Sequence, residues 1–172
     1  MSTDPFLRRL LRTVADDGSA GFGRRAQPGE WAVPGACAFA AEDPAQLPAG
    51  RAAAFESGFL GLGSQGWSAE VEVVDIDART LDGLTLRLAA WLREEVGAPD
   101  LDTALAVARE ELDYALQLAA DAAPGSRLRV TRRLRDGDIH EEYRLLGSAT
   151  QPQTGSGAGS LFDLVGRVRD GR

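Results

Sequence analysis

The residues able to do chemistry are few, and their spacing narrows what they can do. The chain holds one His and one Cys. His140 is followed by Glu141 and Glu142, and an imidazole works as a general base only when a hydrogen-bonded partner orients it. Neighbours on a strand point to opposite faces, so Glu142 shares the His140 face and Glu141 does not. A solvent-facing strand histidine is the plainer expectation. Cys37 stands between Ala36 and Ala38 and reads as a buried, inert thiol. The run Gly61-Leu62-Gly63-Ser64-Gln65-Gly66 spells the dinucleotide-binding fingerprint. That motif works only after a strand and before a helix, where the helix N-terminus meets the pyrophosphate. Here a helical pattern precedes and a strand follows, so the run reads as a connector. Gly21-Phe22-Gly23-Arg24-Arg25-Ala26 also lacks a following helix. Ser64 is not in a nucleophile elbow, because position 62 is Leu.

Metal chemistry has equally little to use. A zinc site takes about four protein ligands, mostly Cys and His. Glu94-Glu95 and Glu110-Glu111 with Asp113 offer carboxylates, but no Glu-x-x-His spacing accompanies them. Solvated helix faces account for these acids, and neither a metal nor another cofactor is expected.

Composition removes further classes. Of 172 residues, 44% are hydrophobic and the formal net charge is −7. All 19 basic residues are Arg; Lys and Asn are absent. Schiff-base chemistry, a phosphate-loop lysine and N-glycosylation therefore have no residue to act through. No apolar run is long enough to span a bilayer. Arg8-Arg9 is followed by Asp16-Asp17 and by no apolar export region, so a cytoplasmic protein is expected.

These residues must be positioned by a mixed set of elements. Residues 6–14 carry apolar side chains at helical spacing, but a strand from about Leu10 to Val14 is also open to them. Such a strand would turn at Asp16-Asp17-Gly18 and pair with Gly21–Ala26. Gln27–Phe39 is punctuated by Pro and Gly and expected to be extended. Ala49–Leu60 is Ala-rich and expected to be helical, followed by a loop over 61–66. Trp67–Ile76 alternates, with Trp67, Ala69, Val71 and Val73 on a buried face and Ser68, Glu70 and Glu72 on a wet one. Two helices follow, capped by Asp77 and Asp100 and separated by Gly97–Pro99. Their apolar stripes run through Leu81, Leu84, Leu88, Trp91 and Leu92, and through Leu101, Leu105, Ala108, Leu112, Leu116 and Ala119.

The segment 127–146 reads as a hairpin turning at Asp136-Gly137. With that turn, Leu134 faces Ile139, Arg132 faces Glu141, Val130 faces Tyr143 and Leu128 faces Leu145. Arg133 and His140 share the other face, as do Thr131 and Glu142. Charge is unevenly spread: residues 67–125 hold 13 acids and 4 Arg, whereas 127–146 hold 6 Arg and 4 acids. The acidic whole argues against nucleic acid as a partner, with the hairpin cations expected to be offset largely by cross-strand acids. A polarised surface suits docking to a protein. Past Leu146, residues 147–159 have a linker composition, and 160–168 form a short amphipathic segment.

The stretches FLRRLLRTVADD (6–17), QPGEWAVPGACAFA (27–40), SGFLGLGSQGWS (57–68) and LRVTRRLRDGDIHEEYRLL (128–146) resemble a small uncharacterised bacterial family, a domain of unknown function. The resemblance spans most of 6–146 and carries no assigned activity and no catalytic residues. It leans residues 10–14 toward strand. It also slightly favours an accessory role, supporting assembly or maturation of a metal-dependent oxidoreductase.

The expected architecture is one α+β domain over 1–146, with a mostly antiparallel sheet of five to six strands and three helices on one face. A flexible tail covers 147–172. The expected function is a non-catalytic, cytoplasmic accessory or interaction protein with a protein partner or a homo-oligomeric contact. Its partner-binding residues would be Leu161, Phe162, Leu164 and Val165 of the tail with Arg129 and Arg133 of the hairpin. The alternative is a small-molecule or enzyme site at a turn-rich surface around Glu30, where Trp31, Ser64, Gln65 and Trp67 would line a pocket.

Overall fold

A computed structural model describes residues 7–15 and 21–146. Seven strands and three α-helices are found there, in an α+β fold with one antiparallel sheet. In chain order they are β1 (Arg8–Thr13), β2 (Trp31–Val33), α1 (Ala49–Ser57), β3 (Phe59–Gly61), β4 (Trp67–Ser68), β5 (Val71–Ile76), α2 (Ala78–Trp91), α3 (Leu101–Ala120), β6 (Arg127–Arg135) and β7 (Asp138–Leu146). The sheet order is β4-β3-β2-β1-β5-β6-β7. Only Ala69 and Glu70 separate β4 from β5, yet β4 ends the sheet and β5 sits four places away, so the sheet must curl. The alternating segment 67–76 is therefore two strands joined by a bend. Ser68 and Glu70, expected on a wet face, are buried there.

β1 is a strand, but it does not pair with 21–26. Its two edges are taken by β2 and β5. Thr13 fixes the β2 side: its amide donates to Glu30 O at 2.8 Å, and its hydroxyl accepts from Glu30 N at 2.9 Å. Residues 21–26 instead reach Trp67, through a parallel bridge at Arg25. The proposed turn at 16–18 lies outside the described residues. Gln27–Phe39 is extended only over β2, and Ala36–Phe39 is a 3₁₀ turn. The helix expected over 49–60 stops at Ser57, where Gly58 turns extended while its amide still donates to Ala54 O at 2.8 Å. Phe59 and Leu60 then enter the core as β3.

The helix pair follows the local signals closely. Asp77 and Asp100 accept from the amides of Thr80 and Thr103, each at 2.7 Å, which satisfies N-terminal donors that the helix leaves open. Those bonds lower both aspartates' pKa values. The last turn of α2 widens into a π turn over Leu92–Val96 and ends at Gly97, whose φ of 92° is left-handed. The stripes of α2 and α3 pack against each other and α3 lies on β1, whereas α1 lies on β6. Leu101, expected inside, opens the first turn of α3 and is 47% exposed. Arg9 reaches the other end of α3, donating to Ala122 O at 2.8 Å.

Candidate functional site

The hairpin forms in the register that its turn dictates. Asp136 (φ 51°) and Gly137 (φ 84°) are both left-handed, the type I′ geometry that matches strand twist. Leu134 pairs with Ile139, Arg132 with Glu141, Val130 with Tyr143 and Leu128 with Leu145. The inner face carries Leu128, Val130, Arg132, Glu141 and Tyr143, all buried. Arg132 has no exposed surface at all. Its Nε donates to Glu141 Oε1 at 3.2 Å, Nη1 to Phe55 O at 2.8 Å, and Nη2 to Pro34 O at 2.5 Å and Gly58 O at 3.1 Å. Tyr143 donates to the other Glu141 oxygen. Burial first, and then the Glu141 charge, push the Tyr143 pKa well above its usual value, so the phenol stays a donor. This cluster fastens β6 and β7 to the ends of β2, α1 and β3.

The outer face is where the cations are. Arg127, Arg129, Arg133 and Arg135 from β6 share it with Arg144 from β7, and with Asp138, His140 and Glu142. Arg129 stands directly opposite Arg144 and Arg133 opposite His140. Cross-strand acids compensate less than expected: the cross-strand ion pair that forms is the buried Arg132–Glu141. Two outer cations are held from the β4–β5 bend, where Glu70 takes Arg127 at 3.0 Å and Arg129 at 3.2 Å. Among the described residues, Arg133, Arg135 and Arg144 have no acidic partner within ion-pair distance.

Of the four residues expected to line a pocket, Gln65 and Trp67 share one cleft and Trp31 and Ser64 do not line it. Trp31 is half-buried under the Arg12 guanidinium, 5.9 Å from its ring centre. Ser64 is bound to Glu30, whose carboxylate accepts from Ser64 Oγ at 2.7 Å, Ser64 N at 2.5 Å, Gly63 N at 2.8 Å and the amide of Gln27. The loop amides of Gly63 and Ser64 are thus occupied by the protein's own carboxylate. Gln65 and Trp67 do meet at a cleft of about 490 Å³, which also takes in Phe22, Arg24, Arg51 and Trp91. Gln65 adopts a left-handed φ of 56° there, uncommon for a residue other than Gly or Asn. Arg51 is committed to Glu42 through Nε and Nη2, at 2.8–3.1 Å, and stacks 4.7 Å over the Phe39 ring.

Residues 7–154 match the model of a family of unknown function, DUF6505. The chain belongs to this family. No curated protein and no solved structure matches it. The DUF6505 match covers both the clamp and the outer face of the hairpin, and it ends before the amphipathic segment 160–168.

The remaining candidates fall as follows in this DUF6505 chain. His140 is half-exposed on the outer face, and Cys37 is a buried free thiol in the 3₁₀ turn after β2. Glu111 is buried and accepts from Gly35 N at 2.7 Å, whereas Glu110 and Asp113 face water. Among the described residues no three His, Cys, Asp or Glu side chains gather where they could hold a metal ion, and no helix is long and apolar enough to cross a membrane. Arg129 and Arg133 lie four residues apart on one exposed face. Leu161, Phe162, Leu164 and Val165 lie outside the described residues. The Glu30 and Glu70 sites escaped the sequence because their partners, Gln27 apart, are 33 to 59 residues away in the chain.

Proposed function

We propose that this chain is a non-catalytic interaction protein of the bacterial cytoplasm whose working surface is the outer face of the β6–β7 hairpin. The observation that carries the reading is the placement of five guanidinium groups on that face, with Arg129 and Arg144 directly opposed. Like charges directly opposite each other destabilise a ladder. Arg133, Arg135 and Arg144 make no ion pair among the described residues, whereas an acidic partner would be steered and bound by them. Guanidinium groups are suited to paired hydrogen bonds with carboxylates. The accessory role in assembling or maturing a metal-dependent oxidoreductase would use such a surface to hold an acidic segment of a client.

The test is a titration with an oligoglutamate peptide followed by amide chemical shifts. Shifts confined to β6 and β7, weakening with salt and abolished in the Arg133→Glu, Arg144→Glu variant, support the reading. No binding, or equal binding by the variant, contradicts it. A small-molecule site has one observation in its favour, the cleft at which Gln65 holds its left-handed backbone.

A further inference from the structure

β7 ends the sheet, and no described strand pairs with its outer edge. The two-residue turn makes Arg135 and Asp138 a mutually hydrogen-bonded pair. Main-chain groups of Asp138, His140, Glu142 and Arg144 therefore turn toward β6, and those of Ile139, Glu141, Tyr143 and Leu145 turn outward. The strand is nine residues long. It has no Pro, one of the usual means of blunting an exposed edge, and its solvent-side charges are of both signs, Asp138 and Glu142 with Arg144.

We propose that this edge pairs with the same edge of a second copy, antiparallel about a two-fold axis at Glu141. Two conditions select that register. The outward groups belong to odd-numbered residues, so odd must face odd. The solvent-side side chains beside the seam must also agree in charge, the two Glu141 carboxylates at the axis each being paired from within by its own Arg132. Centred on Glu141, Asp138 faces the partner's Arg144 and His140 faces the partner's Glu142, each twice by symmetry. These fall at non-hydrogen-bonded positions, where side chains approach most closely. Centring on Glu142 would oppose two Glu142 side chains and set His140 against the partner's Arg144. Centring on His140 would set Asp138 against the partner's Glu142. Centring on Tyr143 keeps the Glu142–Arg144 match but sets His140 against the partner's Leu146.

The seam adds about six main-chain hydrogen bonds, and each Glu141 carboxylate stays inside on its own Arg132. Such a dimer draws Arg144 into its seam and leaves Arg133 and Arg135 on the open face, so a variant at those two tests the function proposed above without touching the seam.

Sedimentation velocity of the full chain across a concentration series tests it. The wild type should dimerise reversibly. Arg144→Asp alone, or Asp138→Arg alone, should weaken self-association about thirtyfold, as two symmetric pairs swing from attraction to repulsion. The double swap, Asp138→Arg with Arg144→Asp, should restore it. Both side chains lie on the solvent side of the strand, so the core is untouched. A monomer at every concentration overturns the proposal, as does a double swap no tighter than either single change.

Discussion

Replacing Arg132 with Met would expose how much of the fold hangs on one side chain. The guanidinium is fully enclosed and donates to Glu141 and to the carbonyls of Phe55, Pro34 and Gly58. Met fills similar space, so the loss is electrostatic more than steric. It leaves a carboxylate with 3% side-chain exposure without its cation and three carbonyls without their donor. Breaking a buried pair from one side costs about 3–5 kcal/mol, a large share of the ~5–15 kcal/mol that holds a domain together. Urea unfolding followed by tryptophan fluorescence should show the midpoint falling with an unchanged slope. Adding Glu141→Leu should recover about half of the loss, since it removes the orphaned charge but not the orphaned carbonyls. A single-variant cost below about 1 kcal/mol, the scale of a surface pair, would refute the clamp.

Three further outcomes follow from the same geometry. Glu30→Ala should cost about 2 kcal/mol by chemical denaturation, because the carboxylate accepts from three loop amides and the Ser64 hydroxyl, and added sulfate should recover part of it. Gly58→Ala should cost about 1–3 kcal/mol in the same assay, since the new methyl meets Ala54 O and the Trp67 ring at less than contact distance. Asp77→Ala and Asp100→Ala should each lower the Tm at neutral pH. Both native pKa values are depressed from 3.8, so the caps contribute fully above that pH. The gap to wild type should close as pH falls through the lowered folded-state values.

What the sequence disclosed depended on how far apart the interacting residues are. The hairpin register was legible from Asp136-Gly137 alone, because a two-residue turn fixes every pair above it. The caps at Asp77 and Asp100 were legible because each acts on an amide three residues on. β3 was not: Phe59–Gly61 continues an Ala-rich helical run, and only its pairing with β2 and β4 makes it a strand. Arg132 could be read as facing Glu141 but not as buried, since its cover comes from residues 74 to 98 positions away. Alternation placed Glu70 in water, whereas the bend between β4 and β5 turns it onto Arg127 and Arg129. Ser64 is held by Glu30, 34 residues away in the chain, and so stands outside the cleft that Gln65 and Trp67 line, a contact that no local pattern signals.

Co-purification from the native host, comparing the wild-type chain with an Arg133→Glu, Arg135→Glu, Arg144→Glu variant, tests the interaction surface most directly. All three side chains lie on exposed positions of β6 and β7, so the fold should persist and circular dichroism should show it unchanged. The account predicts an acidic protein retained by the wild type, released by salt and missing with the variant. The same proteins recovered with both chains, or none with either, would contradict it.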